Sequence, residues 1–342
     1  MKKQISFVLI LAILLSLAAC GRTSSPETTN PTPATPLSPY PLTVTDHADR
    51  QVTIEKEPQR LVSCYYITTS LLMALDLEEN IVGIEDNPDY RPIYGLSAPR
   101  LLELPWVGTA KTLDVEACVA LEPDLVILPL RVKDSALILE DLGIDVLLVN
   151  PESQDLLQEM ISMVGAATNT RQTAEALLSF LAKQESYLDQ VLSGADTPSV
   201  YLAGNSDLLS TAGDAMYQSS LIRIAGGRNV AADIQDTYWA QIDYEQLLTW
   251  NPEYIILASS AQYTPEDVLR DPNLASCTAV TKGNVYQIPC DAESWDSPVP
   301  GSVLGALWLA GILHPDLLTG TDCAAIMDEY YETFYQFTYS QK

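Results

Sequence analysis

Aromatic and arginine side chains occur in this sequence after segments that read as buried strands. Those segments are RLVSC, NIVGIED, LVILPL and GNVYQIP. The aromatic and arginine residues that come after them are Tyr65, Tyr66, Tyr90, Arg91, Arg131 and Trp295. The loops that follow the strands of an open α/β sheet border its ligand crevice. Because arginines and aromatic faces together suit a large, partly apolar molecule with negative groups, these six residues are candidate ligand contacts.

Groups that could bind a bare metal ion or perform catalysis are scarce. The two histidines, His47 and His314, stand at opposite ends of the folded part, so neither a histidine cluster nor a metal site is predicted. The sequence has no G-x-S-x-G and no G-x-G-x-x-G motif. No catalytic residue and no resident cofactor are therefore predicted. A two-lobed cell-surface α/β enzyme remains an alternative that no motif supports.

Two segments 129 residues apart follow nearly the same pattern, EACVALEPDLVIL from Glu116 and EQLLTWNPEYIIL from Glu245. In each, an aspartate two residues before the glutamate can cap a short helix, because a carboxylate is favoured beside unpaired N–H groups. A proline then ends the helix, and an apolar run predicts a parallel strand buried on both faces. Copies so far apart predict two similar α/β lobes with a cleft between them.

The tryptophans Trp106 and Trp239 stand just before the two copies of this segment, at equivalent places in the two lobes. They join the candidate ligand contacts for that reason. The pattern predicts a first lobe over 43–152, a long connecting helix over 153–193 with a kink near Gly165, and a second lobe over 194–342. A hydrophobic content of 47% is sufficient for two such lobes.

The N-terminus has the pattern of an export signal. A positive start and a short apolar run lead to Leu-Ala-Ala-Cys, which predicts a signal peptide over 1–19 and a lipid on Cys20. Residues 20–42 contain six prolines among threonines and serines, a composition typical of a disordered tether. The expected location is the extracytoplasmic face of the cell membrane, with the lipid as the anchor.

The net charge of −27 argues against nucleic acid and against an anionic bilayer as binding partners. With Cys20 assigned to the lipid, five cysteines remain, and no CxxC spacing occurs among them. Cys277 and Cys290 are the pair that we consider for a disulfide, and buried free thiols are the alternative.

In their order and spacing, the segments RLVSCYYITTS, LPWVGT, VEACVALEPDLVIL, AGGRNVAAD, IDYEQLLTWNPEYIIL, AVTKGNVYQIP and ESWDSPVPGSVLGALWLAGILHPD resemble a known family. It is the helix-linked class of ABC-transporter substrate-binding proteins, which deliver iron-siderophores, haem, cobalamin and related compounds. The resemblance implies two Rossmann-like α/β lobes joined by one long helix, with a ligand cleft between them. It also implies a monomeric binding protein, not an enzyme, whose partner is an ABC permease dimer with its ATPase.

The resemblance assigns a role to the glutamates of the repeated segment. In the family, one glutamate at the top of each lobe pairs with arginines of the two permease subunits, and these positions correspond to Glu116 and Glu245. Such pairs contribute orientation more than affinity. The alternative is that both glutamates are favoured only by the helix dipole of a first turn.

The ligand that the resemblance implies is an iron chelate of the siderophore type. Cobalamin, haem bound through a tyrosine, and a metal oxyanion such as molybdate held at helix N-termini are alternatives. The ESWDSPVP segment is similar to that of oxyanion-binding members. One departure concerns the first loop, where many relatives have a Ser-x-x-Thr-Glu pattern and this chain has Ser70 after Thr69. A surface adhesin or a sensor subunit with the same fold is a further alternative.

Overall fold

The computed structural model describes residues 39–235, 239–318 and 320–342, with the side chains of 320–322 left aside. The predicted signal peptide, the lipid-bearing Cys20 and most of the tether predicted for 20–42 lie outside the described residues. Within the described ranges, no helix is both long and apolar enough to cross a membrane.

The first lobe is built on a four-stranded parallel sheet. The strands of the lobe, including those outside this sheet, are β1 (Leu42–Thr45), β2 (Gln51–Ile54), β3 (Leu61–Ser63), β4 (Ile81–Gly83), β5 (Gly108–Thr109), β6 (Thr112–Leu113), β7 (Leu125–Pro129) and β8 (Asp145–Val149). The sheet has the order β4-β3-β7-β8, with Val62 beside Val126 and Val126 beside Val146. β1 and β2 form a separate antiparallel hairpin. The sequence predicted the buried strands.

Short helices connect these strands. They are α1 (Tyr66–Ala74), α2 (Pro92–Ser97), α3 (Val115–Ala120) and α4 (Lys133–Asp141). α1 is apolar on most sides and buried from Ile67 to Ala74, which is typical of a helix enclosed by other elements. α2 begins at Pro92, whose fixed φ suits the first helical position.

Two helices, α5 (Gln154–Ala167) and α6 (Arg171–Val191), follow the first lobe, where the sequence predicted one long helix over 153–193. The chain reverses between them, because Asn169 adopts a left-handed conformation with φ of 60°. Gln154 Nε2 donates to Glu185 Oε1 at 2.5 Å, so the start of α5 lies beside the last third of α6. A Cβ on Gly165 would stand 2.5 Å from the Ala174 Cβ, so this glycine permits the close approach. The predicted kink near Gly165 is thus a helical hairpin, and α6 alone leads into the second lobe.

The second lobe repeats the architecture of the first. Its strands are β9 (Ser199–Ala203), β10 (Ser210–Thr211), β11 (Arg228–Asn229), β12 (Ala240–Gln241), β13 (Tyr254–Leu257) and β14 (Val285–Gln287). Its helices are α7 (Tyr217–Ile224), α8 (Tyr244–Trp250), α9 (Pro265–Leu269), α10 (Thr278–Lys282), α11 (Ser302–Leu313) and α12 (Gly320–Tyr335). The sheet order is β12-β10-β9-β13-β14, with β11 also paired to β9. Short 3₁₀ helices of the chain span Glu78–Asn80, Pro88–Tyr90, Pro99–Glu103, Leu130–Val132, Pro272–Leu274 and Tyr339–Gln341.

The repeated segment folds identically in the two lobes. Asp114 accepts a hydrogen bond from the Ala117 N–H, and Asp243 accepts one from the Gln246 N–H, which confirms both predicted caps. The residue before each proline is left-handed, with φ of 47° at Glu122 and 43° at Asn251. The helices α3 and α8 therefore end as predicted, and the buried strands β7 and β13 follow.

Each sheet is covered on both faces, and the two inner faces share one core. Leu125 and Ile127 of β7 belong to a cluster that extends through α1, α5, α6, α11 and α12, whereas Val126 and Leu128 face a smaller cluster on the other side. An aromatic face of α12 lies in the shared core, with Tyr331, Phe334 and Tyr335 buried. Because α12 packs against α1, the end of the chain contacts the first lobe.

Candidate ligand-binding site

A small pocket lies where loops that follow strands of the two lobes meet. It encloses about 90 Å³. The first lobe contributes Tyr66, Ser70, Tyr90, Arg91, Pro92 and Ile93. The second lobe contributes Ser260, Cys290, Ala292, Glu293, Ser294 and Val299. These residues follow β3, β4, β13 and β14, so the pocket is at the carboxyl ends of the parallel strands, where the sequence predicted it.

The two lobes touch directly beside this pocket. The Ile93 N–H in the first turn of α2 donates to the Ala292 carbonyl oxygen at 3.2 Å. The Tyr335 hydroxyl donates to the Ser70 carbonyl oxygen at 3.0 Å, from α12 to α1. These hydrogen bonds fix the distance between the two walls of the pocket.

Arg91 and Tyr66 form the charged end of the pocket. The guanidinium carbon of Arg91 lies 3.8 Å from the centroid of the Tyr66 ring, a cation–π geometry. Among the described residues, no carboxylate lies within ion-pair distance of Arg91. Burial raises the pKa of the Tyr66 hydroxyl, so this group is a neutral donor at neutral pH. The pocket therefore has a positive charge without a protein counter-ion.

The local sequence holds Arg91 in place through two prolines. Asn87 is left-handed, with φ of 59°, and begins the 3₁₀ helix Pro88–Tyr90. Arg91 is extended, with φ of −115° and ψ of 91°, because a residue before proline avoids the helical region. The backbone on both sides of Arg91 is thus restricted before the side chain makes any contact.

A buried carboxyl group fastens the Arg91 loop to α1. Thr69 Oγ1 donates to Glu85 Oε2 at 2.7 Å, and the Tyr94 hydroxyl donates to Glu85 Oε1 at 2.5 Å. Burial raises the pKa of Glu85, although the two hydroxyl groups act in the opposite direction. Thr69, the residue before the Ser70 at which the first loop departs from the pattern of many relatives, ties α1 to the segment after β4.

The wall from the second lobe is fastened in a similar way. Asp296 accepts hydrogen bonds from the Ser259 N–H at 3.0 Å and from Ser259 Oγ at 2.5 Å. Gln218 Nε2 donates to the Asp296 carbonyl oxygen at 2.8 Å. These contacts join the loops after β13 and β14 to α7. The segment 290–297 is thereby held against the pocket.

Three of the predicted ligand contacts, Tyr66, Tyr90 and Arg91, meet at this pocket. Tyr90 is 80% exposed at its rim. Tyr65 is buried, with its ring edge-on to Tyr66 at 5.5 Å. Arg131 lies outside the pocket lining and pairs with Glu152, with 3.5 Å between Arg131 Nη2 and Glu152 Oε1.

The tryptophans do not line this pocket. Trp106 is 49% exposed and lies in an isolated bridge with Ile84. Trp239 packs against Gly204 in the second lobe. Trp295 is 1% exposed, and its indole N–H donates to the Tyr331 hydroxyl at 2.9 Å. The prediction of Trp295 as a ligand contact is therefore corrected: its side chain packs in the core beneath the loop.

The sequence analysis missed several residues of the lining, of which Glu293 and Ser294 are the most polar. Both lie in the ESWDSPVP segment, where only the tryptophan was selected. Ser260 was missed as well, although it follows β13 and meets the same rule that selected Tyr66. The sequence analysis selected aromatic and arginine residues that follow strands, which is here called the strand-end rule. Applying this rule to polar residues as well would have found all three.

The five cysteines that the structure describes are free thiols, so the disulfide considered for Cys277 and Cys290 is absent. Cys277 is buried and Cys290 is exposed at the pocket. Within the described ranges, no group of three or more histidine, cysteine, aspartate or glutamate side chains could hold a metal ion.

Glu116 and Glu245 are exposed in the first turns of α3 and α8. Each is two residues after its capping aspartate, so the helices present both carboxylates to solvent in the same way. Their contact with a permease stays a prediction.

Comparisons with known proteins agree with this architecture. The chain is 26% identical to the molybdate-binding protein MolA of Haemophilus influenzae, over 86% of this chain and 91% of MolA. It is 26% identical to the uncharacterized ABC transporter substrate-binding lipoprotein YvrC of Bacillus subtilis, over 92% of this chain and 99% of YvrC. A solved periplasmic solute binding protein from Veillonella parvula superimposes with a TM-score of 0.76 at 26% identity, over 87% of this chain and 93% of that chain.

Both relatives are named as binding proteins. The comparisons therefore do not support the alternative hypothesis of a cell-surface α/β enzyme. A sequence model described as periplasmic binding protein matches residues 61–292. The match begins at β3 and ends in the loop after β14, so it includes both parallel sheets and the pocket residues up to Ala292. The chain therefore belongs to the periplasmic binding protein family.

Proposed function

We propose that this chain is the substrate-binding protein of an ABC importer and that it captures a small tetrahedral oxyanion such as molybdate. The observation that carries the proposal is the guanidinium of Arg91, which faces a small pocket without a protein counter-ion. Arg91 is partly buried, so its charge is partly removed from water, and an anionic ligand would supply the partner that the protein does not.

The size of the pocket supports a small ligand. Pockets for drug-sized molecules usually measure about 300 to 1,000 Å³. The volume of about 90 Å³ found here is well below that range. Cobalamin, haem and a ferric siderophore are all drug-sized or larger, so the lobes would have to move apart to admit them.

The chemistry of the lining supports an oxyanion. Arg91 provides a charged planar donor, and the hydroxyls of Tyr66, Ser260 and Ser294 provide neutral ones. Similarity to the molybdate-binding protein MolA along most of both chains is in accord with this chemistry.

An iron chelate with anionic groups is the second candidate, and Tyr90 is the observation in its favour. This ring is 80% exposed at the rim, beside Arg91, and could pack against the face of a bulky ligand. Such a ligand would use the same arginine but would fill the cleft rather than the enclosed pocket.

The remaining parts of the proposal concern delivery. Glu116 and Glu245 would dock the loaded protein on a permease dimer with its ATPase, and a lipid on Cys20 would keep a monomer at the extracytoplasmic face of the membrane. The similarity to a protein named as an ABC transporter substrate-binding lipoprotein supports both.

Calorimetric titration of the purified mature protein tests the ligand. Molybdate and tungstate are expected to bind one per chain with a dissociation constant of about 1 μM or lower. Sulfate, with the same charge and shape but a smaller radius, is the control and is expected to bind more weakly. Binding of a ferric siderophore without binding of any oxyanion would support the second candidate. If oxyanions, siderophores, haem and cobalamin all fail to bind, both candidates are contradicted.

A further inference from the structure

Glu293 is a buried carboxyl group in the wall of the pocket. Its side chain follows β14 and is 4% exposed, and it lines the same pocket as Arg91. A carboxylate at this place would oppose the anion that Arg91 attracts. The protonation state of Glu293 therefore determines whether the pocket favours or disfavours an anionic ligand.

The surroundings of Glu293 are polar but uncharged. The Tyr335 hydroxyl lies 3.3 Å from Glu293 Oε1, and the hydroxyls of Tyr330 and Tyr331 also surround the carboxyl group. A Cβ on Gly301, at the start of α11, would stand 2.3 Å from Glu293 Oε2, so only glycine leaves room for the carboxyl group. Glu293 Oε2 makes no hydrogen bond of normal geometry among the described residues, and no lysine or arginine there pairs with it.

Groups that can titrate stand near this carboxyl on two sides. Tyr330, Tyr331 and Tyr335 surround it from α12, and Cys290 and Arg91 line the same pocket. Burial raises the pKa of Glu293 to about 8, and the tyrosine hydroxyls lower it by less. The pKa values of the three tyrosines are raised well above their ordinary value, so these hydroxyls stay neutral.

We infer that Glu293 is protonated when the pocket is occupied and donates a hydrogen bond from its carboxyl group to the anionic ligand. The inference rests on the proposed function, since it concerns the same pocket. A neutral carboxyl adds a donor to those of Arg91 and the hydroxyls, whereas a carboxylate could only accept and would repel the anion. A carboxylic acid that is kept neutral by an apolar site can serve as a hydrogen-bond donor at pH 7. The ligand is thus bound together with one proton.

The pH dependence of molybdate binding, measured by calorimetry between pH 7 and 9.5, tests the inference. Above pH 8 the dissociation constant of the wild-type protein is expected to rise towards tenfold per pH unit, because the neutral carboxyl becomes rarer. The variant Glu293→Gln keeps the size and a donor but cannot ionise, so its dissociation constant is expected to stay level. Asp291→Asn, in the same loop but paired with Lys342, is the matched control and should keep the wild-type slope.

Infrared spectroscopy of the ligand-free protein provides a readout that does not need a ligand. A protonated carboxyl band that is present at pH 7, fades near pH 8 and is missing in Glu293→Gln would support the inference. A missing band at pH 7, a level wild-type profile, or a wild-type slope in Glu293→Gln would overturn it. If the band is present and no oxyanion binds at any pH, the proposed function fails and Glu293 is not a ligand contact.

Discussion

The guanidinium carbon of Arg91 stands 3.8 Å from the centroid of the Tyr66 ring; Arg91 lies in the connection after β4, and Tyr66 begins the helix that follows the adjacent strand β3. Stacking on the ring reduces the number of conformations available to the long arginine side chain. Less entropy is then lost when a ligand binds, which is the general advantage of a preorganised site.

Replacing Arg91 with alanine is expected to weaken oxyanion binding about 10-fold to 100-fold. A hydrogen bond to a charged group contributes about 1.5 to 3 kcal/mol, and each 1.4 kcal/mol is a factor of ten. Arg91→Lys should recover only part of the affinity, because an ammonium group lacks the planar fork. Calorimetric titration measures the effect, with the exposed Arg270→Ala as the control. An unchanged affinity in Arg91→Ala would remove Arg91 from the site.

Replacing Trp295 with alanine is expected to lower the free energy of unfolding by about 3 to 5 kcal/mol, because it leaves a cavity in the core. Trp106→Ala is the matched control. Since the Trp106 side chain is 49% exposed, its loss should cost about 0.5 kcal/mol. Urea denaturation measures both values, and equal losses in the two variants would contradict the core position of Trp295.

Replacing both Glu116 and Glu245 with alanine is expected to abolish uptake of the ligand by cells while leaving its affinity for the purified protein unchanged. Both carboxylates are exposed and distant in sequence from the pocket loops. Glu266→Ala is the control, since Glu266 is likewise exposed in the first turn of a helix, α9. Normal uptake by the double variant would show that these glutamates do not dock the protein.

Replacing Asp46 with asparagine is expected to destabilise the first lobe by about 1.5 to 3 kcal/mol at pH 7. Burial acts to raise the pKa of Asp46, but hydrogen bonds from the Arg50 side chain and from the N–H groups of Leu148, Arg50 and Ala48 outweigh it and lower the pKa below 3.8. A lowered pKa contributes stability that is complete above the unfolded value and is lost as the pH falls through the folded value. Thermal melts from pH 7 to 2.5 should thus show a smaller loss of stability below pH 4 in Asp46→Asn than in the wild type.

A thiol reagent is expected to label Cys290 in the native protein and to leave Cys64, Cys118 and Cys277 unreacted, because these three are buried. Burial and the neighbouring Asp291 raise the pKa of Cys290, so the rate of labelling should increase with pH. A bound ligand should slow the reaction, since Cys290 lines the pocket. Cys290→Ser is the control, and a ligand that binds without slowing the labelling would place the binding site elsewhere.

The sequence predicted the repeated helix, turn and strand correctly because each signal is local. Asp114 and Asp243 cap the next turn, and the prolines at 123 and 252 act on their immediate neighbours. Between α5 and α6 the sequence predicted only a kink, near Gly165, because the helical spacing of apolar residues continues through the reversal. A second local signal is Asn169, a residue type that adopts the left-handed conformation more readily than most.

The pocket could be predicted only in part because its walls come from loops far apart in the chain. The rule that ligand contacts follow strands selected Tyr66 and Arg91, but it does not predict whether a given side chain points into the pocket or into the core. Trp295 and Glu293 lie two residues apart in one loop, and the structure buries the Trp295 ring in the core while Glu293 is among the residues that line the pocket. The hydrogen bond between Ile93 and Ala292 joins residues 199 positions apart, and no pattern in either segment indicates the other.

The contact between α12 and α1 has a consequence for the biosynthesis of the protein. The hydrogen bond between the Tyr335 hydroxyl and the Ser70 carbonyl oxygen spans 265 residues of chain. During translation, α1 leaves the ribosome long before α12. The core to which both helices contribute is therefore complete only when the last helix has been made. Such a delay suits a polypeptide that has to be threaded through a membrane before it folds.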